Sequence, residues 1–284
     1  MLELFSGIGG WRYALPPSAT VVAAYDVSPA ANATYALNHG EAPRPRELAT
    51  IPTRELADLG ADTWVLSPPC QPYCRMGLKA DLADARARAF LRLLEILEEA
   101  PPERLVLENV EGFLESQSHA RLTGLLDGLG FRRRALRLCP TALGVPNQRP
   151  RVYVLASRGP LPEPSFPGVA PRPLADYLDG VVDPALYLPE PVRAKHWMGL
   201  DLARPEDRRS SCFIGGYGQR FVGSGSFLVT EQGVRRFSPR EVGRLLGLPE
   251  GFRFPENLSL EKRYKLLGNG LSIPAARWVL SHLA

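Results

Sequence analysis

The sequence predicts an α/β fold: a mostly parallel sheet covered by helices, with a second, smaller domain. Strand-like apolar runs alternate with helical stretches along the first half of the chain, as in successive βαβ units. The length of 284 residues suits one large α/β body with a small appendage. Ligands of such sheets bind beyond the carboxyl ends of the strands, so residues that directly follow a predicted strand are the candidates for chemistry.

Short apolar runs bounded by turn residues define the predicted strands. They are Met1–Phe5, Thr20–Tyr25, Thr63–Leu66, Arg104–Leu107, Ala135–Leu138 and Arg151–Ala156. The clearest predicted helix covers Leu82–Ala100, because its apolar residues recur on one face and two prolines follow it. Another helix is predicted to begin after Ser238, an N-cap residue followed by Pro239, and a final one covers Ser272–Leu283.

A proline-rich, weakly periodic stretch after residue 158 sets the predicted domain boundaries. We expect a larger domain over residues 1–157 and a small irregular domain over 158–236. Residues 237–284 are predicted to return to the larger domain.

The charge balance is 34 basic against 30 acidic residues, and arginine supplies all but four of the basic ones. Arginine suits phosphates and base edges, although arginine-rich codon usage would give the same excess at solvated positions. The four cysteines form no Cys-x-x-Cys pair, which argues against a disulfide scaffold and a zinc ribbon, so we expect reduced thiols and no metal. Neither a transmembrane span nor a secretory signal is recognisable, and we expect a cytoplasmic protein without membrane contact.

The first predicted strand runs into a glycine-rich turn, Phe5–Gly10. Missing β-carbons let a ligand approach the backbone there, although such turns also occur for structural reasons alone. Asp26 ends the second strand and could accept hydrogen bonds from both hydroxyls of a ribose. The turn departs from the full G-x-G-x-x-G pattern of dinucleotide sites, so a shorter cofactor such as S-adenosylmethionine fits better.

Four further candidate residues follow or begin strands at the same edge. Cys70 lies on a proline-rich loop after the third strand; a lone cysteine is more often a small buried hydrophobe than a nucleophile. Glu108 follows the next strand, where a purely structural role would leave a costly charge near the sheet. Arg149 and Arg151 stand two residues apart at the start of the last predicted strand, so both are expected to point to one face. The alternative is that they only form salt bridges at the surface.

Together these residues resemble the cytosine-5 methyltransferase family, motif by motif and in the family's order. The matching segments are Phe5–Gly9, Pro69–Gln71, Glu108–Val110, Asn147–Arg151, Arg240-Glu241 with Leu246–Pro249, and Gly268–Leu271. Asn147 departs from the glutamine of the family pattern. The resemblance implies a Rossmann-like, S-adenosylmethionine-dependent methyltransferase fold, with catalysis in residues 1–157 and a target-recognition domain at 158–236.

The resemblance also implies a role for each residue. Cys70 attacks carbon 6 of cytosine, Glu108 serves ring nitrogen N3, and Arg151, with Arg149, holds the carbonyl oxygen. The implied cofactor site consists of Phe5, Ser6, Gly7, Ile8, Gly9, Asp26, Val27, Ile51, Pro69, Asn269 and Leu271. The implied substrate site consists of Gln71, Arg75, Asn109, Cys212 and Tyr217.

Three segments favour RNA over DNA as the substrate. Cys212–Gly218 and the following Gly223–Ser226 are similar to the signature of the tRNA-methylating subfamily, except that Ile214 replaces a threonine. The loop that carries Cys70, Ser67–Leu78, is also similar to the nucleophile loop of that subfamily, although Cys74 replaces a threonine there. The resemblance implies methylation of an anticodon-loop cytosine, expected at position 38 of aspartate tRNA, by a monomer.

Two alternatives stay open: a DNA cytosine-5 methyltransferase with a reduced recognition domain, and a catalytically silent nucleic-acid-binding module. Individual side chains also keep two interpretations. Tyr217 could stack on a base or pack the domain junction, and Cys212 could approach the site or be a buried structural thiol. Arg132–Arg134 could contact phosphates, although a solvated turn is the commoner role of such a run.

Overall fold

A computed structural model of the chain describes residues 1–71, 73, 81, 84 and 87–283. The strands in this part of the chain are β1 (Leu2–Leu4), β2 (Ala23–Tyr25), β3 (Thr63–Leu66), β4 (Arg104–Asn109), β5 (Arg132–Leu138), β6 (Arg151–Ser157), β7 (Asp201–Ala203), β8 (Ser226–Thr230) and β9 (Gly233–Arg236). The α-helices are α1 (Gly10–Ala14), α2 (Pro29–His39), α3 (Thr53–Ala57), α4 (Arg88–Glu99), α5 (Gln117–Gly128), α6 (Glu190–His196), α7 (Pro239–Leu246), α8 (Leu260–Asn269) and α9 (Ile273–Leu280). None of these helices is long and apolar enough to span a membrane.

Contacts between residues divide the chain into two compact units. Unit 1 comprises Met1–Leu138, Pro150–Ser165 and Ala276–Ala284, and unit 2 comprises Cys139–Arg149 and Phe166–Ala275. This division differs from the boundaries at 157 and 236, because residues 139–149 and 237–275 belong to the smaller unit and residues 158–165 belong to the larger one. In both units, segments that are distant in sequence pack together. Local composition does not predict which distant segments pack together.

Unit 1 is built on a sheet whose described strands run in the order β2-β1-β3-β4-β6-β5. The first four are parallel, as the alternation of strands and helices predicts, and β6 pairs antiparallel with both β4 and β5. A cluster of buried apolar side chains joins the sheet to α4, whose Phe90, Leu93 and Leu97 are almost fully buried. These residues recur three to four positions apart, so they line one face of the helix.

The Arg132–Arg134 run lies in a strand, which corrects its interpretation as a turn. Arg132 and Arg133 are exposed on β5, at the edge of the sheet. The guanidinium of Arg133 donates to both carboxylate oxygens of Asp127, at 2.7 and 2.8 Å. Charged side chains on an edge strand also discourage pairing with a second chain.

Unit 2 contains a small sheet in the order β7-β8-β9, followed by α7. The predicted N-cap is confirmed: the Ser238 hydroxyl accepts from Glu241 N, and the Glu241 carboxylate accepts from Ser238 N. The same carboxylate forms a buried, two-pronged ion pair with Arg235, with both N···O distances 2.7 Å. This pair joins β9 to the first turn of α7.

Candidate active site

The register of the parallel strands brings the predicted site residues of unit 1 to one edge. Leu4 pairs with Tyr25 on one side and with Leu66 on the other, and Leu66 pairs with Leu107. These four residues therefore form one row across the sheet. The residues directly after this row are Phe5, Asp26, Ser67 and Glu108. The glycine turn therefore begins beside Asp26 on one side and beside the loop that carries Cys70 on the other, and this loop begins beside Glu108 and Asn109.

The turn after β1 adopts left-handed backbone conformations that explain its glycines. Phe5, Gly7 and Gly9 have φ angles of 57°, 55° and 83°. A β-carbon at Gly9 would overlap the imidazole of His39, whereas one at Gly7 would meet no atom within 4 Å. Gly9 is therefore required by packing inside the protein, and Gly7 leaves open space where a ligand can approach the backbone.

Ser6 and Asp26 give this turn the polar groups that a nucleoside cofactor needs. The Ser6 hydroxyl is buried and has no hydrogen-bond partner among the described residues. One Asp26 oxygen accepts from Gly7 N and the other from Ser28 N, both at 2.8 Å, so the carboxylate is fixed at the strand tip. An unsatisfied buried hydroxyl beside a fixed carboxylate fits a ligand that brings its own hydrogen-bonding groups.

The remaining residues of the implied cofactor site differ in exposure and location. Val27 is exposed, whereas Ile8 and Ile51 are buried and Pro69 is half-buried. Asn269, at the end of α8, is exposed, and Leu271 is almost fully buried. Asn269 and Leu271 belong to unit 2, whereas the turn residues, Asp26, Val27 and Pro69 follow the strand ends of unit 1.

A buried acid that the sequence analysis did not select lies beneath the turn. Glu3, in the middle of β1, has no exposed surface and accepts from Tyr35 Oη at 2.7 Å and from Arg12 N, in α1, at 3.2 Å. Burial raises the pKa of Glu3 from its ordinary value of 4.5 to about 7. A charged residue between two leucines of a buried strand was the available signal.

The nucleophile loop is anchored to its neighbours through the backbone. Ser67 N donates to Leu4 O at 3.3 Å, and its hydroxyl accepts from Trp11 Nε1 at 3.0 Å. Asn109 Nδ2 donates to Pro68 O at 3.2 Å, so Asn109 holds the loop. Asn109 is buried, and this contact gives it a positioning role; its predicted contact with substrate stays a prediction.

Cys70 is half-buried at the end of this loop, and Gln71 beside it is exposed. Tyr73 N donates to Cys70 O at 2.9 Å, which closes a turn around the cysteine. Among the described residues, Cys70, Cys139 and Cys212 form no disulfide. Cys74, which replaces a threonine of the subfamily pattern, and Arg75, which was predicted to contact the substrate, lie outside the described residues.

Glu108 and Arg151 form an ion pair on adjacent strands. Arg151 Nε lies 3.3 Å from Glu108 Oε1, and the two side chains keep 15% and 11% of their surface exposed. Strand β6 starts at Arg151 and runs antiparallel to β4, so its first residues lie beside the last residues of β4. The partial exposure leaves a carboxyl group and a guanidinium within reach of a bound ligand.

Arg149 lies outside the strand, which corrects the expectation that Arg149 and Arg151 alternate toward one face of a strand. The strand begins only at Arg151, and Arg149 is almost fully buried in unit 2. Its guanidinium donates to Phe213 O at 3.1 Å, to Gly268 O at 3.0 Å and to Gly270 O, and contacts Cys212 Sγ at 3.3 Å. These bonds make Arg149 a structural link between two of the motifs in unit 2.

Tyr217 is also committed to packing in unit 2. It has no exposed surface; its hydroxyl donates to Ser226 O at 2.6 Å and accepts from Phe237 N at 2.9 Å. Burial raises the pKa of Tyr217 well above its ordinary value, so the phenol stays a donor. Stacking on a base would require these bonds to break, whereas Cys212 stays half-buried beside Arg149.

Comparisons with known proteins agree with this arrangement. The family model of C-5 cytosine-specific DNA methylases matches residues 1–177 and 200–284. A tRNA (cytosine(38)-C(5))-methyltransferase from Schizosaccharomyces pombe is 32% identical, with 100% of this chain and 96% of the relative covered. A DNA (cytosine-5)-methyltransferase from Dictyostelium discoideum is 27% identical, with 96% and 91% covered.

Among solved structures, a methyltransferase from Entamoeba histolytica superposes with a TM-score of 0.94 at 26% identity, with 99% of this chain and 96% of that chain covered. The ordered motifs, the sheet edge that gathers Cys70, Glu108 and Arg151, and the family match lead to one assignment. The chain belongs to the C-5 cytosine-specific DNA methylase family and is a cytosine-5 methyltransferase.

Proposed function

We propose that this enzyme transfers a methyl group from S-adenosylmethionine to carbon 5 of an anticodon-loop cytosine in tRNA, with position 38 of aspartate tRNA as the first candidate. The observation that carries the chemistry is the placement of Cys70 on an anchored loop beside the Glu108–Arg151 pair. The choice of tRNA is supported by the substrate named for the Schizosaccharomyces pombe relative, which the chain matches over its whole length. It is also supported by the resemblance of Cys212–Gly218 to the tRNA-methylating subfamily.

Carbon 5 of cytosine is a weak nucleophile, and the first task of the site is to activate it. The Cys70 thiolate adds to carbon 6 and forms an S–C bond, while the electron pair of the 5,6 double bond moves into the ring. Glu108 donates a proton or hydrogen bond to N3, which accepts the negative charge that develops there. Arg151 orients the Glu108 carboxyl group through their ion pair and stabilises the charge at the carbonyl oxygen.

The cofactor would be held at the turn after β1, by the open backbone at Gly7, the buried Ser6 hydroxyl and the fixed Asp26 carboxylate. When bound, S-adenosylmethionine supplies an electrophilic methyl group. After carbon 5 carries the methyl group, a water molecule acting as base takes its proton, the C–H bonding pair re-forms the 5,6 double bond, and the Cys70 sulfur departs with the S–C bonding pair as a thiolate. A loop cytosine suits this chemistry, because both faces of an unpaired base are accessible without melting a duplex.

We further propose that the enzyme works as a monomer in the cytoplasm, without a metal.

The direct test measures methyl transfer from labelled cofactor to an aspartate tRNA transcript and to duplex DNA. We expect transfer to tRNA, mapped by bisulfite sequencing to one anticodon-loop cytosine. Cys70→Ala should abolish transfer while tRNA binding persists, because the thiol contributes to chemistry more than to affinity. Unchanged methylation by Cys70→Ala would remove Cys70 from the nucleophile role.

A second candidate substrate is DNA, because a relative of similar coverage from Dictyostelium discoideum is named a DNA (cytosine-5)-methyltransferase. The same assay separates the two substrates. Transfer to duplex DNA without transfer to tRNA would overturn the tRNA proposal and leave the catalytic assignment in place.

A further inference from the structure

Unit 2 exposes large apolar side chains in a way that its own packing does not explain. Trp197 is 48% exposed, Met198 96% and Val222 57%. Large apolar groups that cluster on a protein surface commonly mark an interaction site. We define the Trp197 surface as Trp197, Met198 and Val222 together with the exposed cations Lys195 and Arg220.

Two segments form this surface, and direct contacts hold them together. The rings of His196 and Phe221 stack with their centroids 4.7 Å apart and their planes 18° apart. Gly199 lies so close to Val222 that an added β-carbon would be 2.6 Å from Val222 Cγ2. The Trp197–Gly199 turn and the Arg220–Val222 segment therefore form one continuous patch.

The charge of the patch favours an anionic partner. Lys195 and Arg220 are both exposed. The nearest acid along α6, Glu190, forms an ion pair with Arg193. The guanidinium of Arg236 lies 4.6 Å from the centre of the ring of Phe221, which belongs to the Arg220–Val222 segment. A patch that exposes an indole and two cations matches the surfaces that bind unpaired nucleotides, where bases stack on aromatic rings and cations contact the phosphates.

The position of the patch in the sequence separates it from the catalytic machinery. The family model matches residues 1–177 and 200–284, so residues 178–199, which include Lys195, Trp197 and Met198, lie outside it. A segment that the family model does not cover is suited to substrate selection, because the reaction itself needs only the shared residues.

We infer that the Trp197 surface binds unpaired nucleotides of the RNA substrate, with a base stacked on Trp197 and with phosphates near Lys195 and Arg220. This inference rests on the proposed function, since it names a surface of the enzyme that recognises the RNA. A second copy of the chain is the competing occupant of an exposed apolar patch, and the experiment separates the two.

The first measurement compares Trp197→Ala with the wild type in steady-state methylation of an aspartate tRNA transcript. Loss of one stacking contact should raise KM for tRNA about tenfold, leave kcat within about twofold and leave KM for the cofactor unchanged. Trp197→Phe keeps a ring and should recover most of the affinity. Val181→Ala is the matched control, because Val181 is 94% exposed and lies in the same unmatched segment.

The second measurement uses the tryptophan as a probe of binding. Trp11 and Trp64 are almost fully buried and Trp278 is half-buried, so Trp197 is the most exposed of the four tryptophans and should give most of any fluorescence change on binding an anticodon stem-loop RNA. We expect quenching that Trp197→Phe removes. Lys195→Ala should make the dependence of RNA affinity on salt concentration less steep, by about one unit in the slope of log K against log salt.

Each outcome decides between the two hypotheses. If the wild type methylates tRNA and Trp197→Ala leaves KM and RNA binding unchanged, the inference is wrong and the proposed function stands. If the wild type methylates no tRNA, the proposed function fails, and Trp197-dependent quenching by RNA still supports the surface, whereas its absence overturns it. Concentration-dependent self-association that Trp197→Ala abolishes, with tRNA kinetics unchanged, would assign the patch to a second copy of the chain.

Discussion

At the scale of single residues, Glu3 couples folding to pH from beneath the glycine turn. Its carboxyl group is held by Tyr35 Oη and by Arg12 N, and burial raises its pKa to about 7. Arg12 also bonds to Tyr35 Oη, at 3.3 Å, and to Glu41, at 2.6 Å. The network joins β1, α1 and α2, so the charge state of Glu3 affects the elements that carry the turn.

We predict that Glu3→Gln changes how stability depends on pH. Between about pH 4.5 and 7 the folded wild type binds a proton at Glu3 that the unfolded chain has lost, so the free energy of unfolding falls as pH rises through this window. Glutamine has no such titration. The stability of the wild type relative to Glu3→Gln should therefore fall by about 3 kcal/mol between pH 4.5 and 7, measured by urea unfolding.

His39 titrates in the same region with the opposite sign. Burial lowers its pKa to about 4, so its contribution to stability rises with pH between about 4 and the ordinary value of 6.5. His39 is present in both proteins and cancels from the difference. A difference between wild type and Glu3→Gln that is the same at pH 5 and pH 8 would contradict the assignment to Glu3.

At the scale of elements, the contact between α8 and the Cys212–Gly218 segment explains why the motif at the end of α8 carries glycine. A β-carbon at Gly268 would overlap the Gly215 nitrogen and the Ile214 carbonyl carbon. Arg149 bonds to Phe213 O on one side and to Gly268 O on the other. The segment that resembles a substrate signature therefore also forms a tight backbone contact within unit 2.

We predict that Gly268→Ala destabilises the protein by about 1–3 kcal/mol. The added methyl group would overlap backbone atoms of Ile214 and Gly215, which cannot rotate away as a side chain could. Alanine is intrinsically the better helix former, so the clash must exceed a gain of about 1 kcal/mol. Gly124→Ala, in α5, is the control: no atom lies within 4 Å of its β-carbon, and stability should rise by up to about 1 kcal/mol. Equal melting temperatures for the two variants would contradict the close packing at Gly268.

The elements also show what local sequence can and cannot predict. Strand β3 was predicted with its exact bounds, because its apolar run is short and bounded by turn residues. The first part of β5 was missed, because an edge strand of exposed arginines has no apolar periodicity. The burial of Arg149 was also missed, because two of its bond partners lie 64 and 119 residues away in sequence. The sequence selected Cys70, Glu108 and Arg151 because each was predicted to follow or begin a strand; in the structure Glu108 lies within β4, one residue before its end, and the catalytic roles of the three stay predictions.

At the scale of the whole molecule, neither unit is a continuous piece of chain. Unit 1 takes up three separate segments, the last of which starts at Ala276. Within this segment Ala276 and Val279 are fully buried, and the Arg277 guanidinium donates to Tyr13 O, in α1, at 3.1 Å. The last residues of the chain thus support the helix that follows the glycine turn.

We predict that a chain ending at Ala275 is less stable by several kcal/mol, because it loses the burial of Ala276, Val279 and Leu283. Its melting temperature should fall by about 10 °C, measured by circular dichroism. Arg277→Ala keeps the segment and removes one partly exposed bond, so its melting temperature should fall by only about 2–4 °C. A truncated chain as stable as the wild type would show that the last segment contributes little to unit 1.

The two backbone bonds to Asp26 have a consequence for the entropy of ligand binding. An aspartate free to rotate at a surface loses rotamer freedom when a ligand fixes it, which costs roughly 0.5–1.5 kcal/mol. Gly7 N and Ser28 N already hold both oxygens of Asp26 in one orientation. That ordering occurs once, during folding, so a ribose that reaches the strand tip meets an acceptor whose conformational entropy no longer opposes binding.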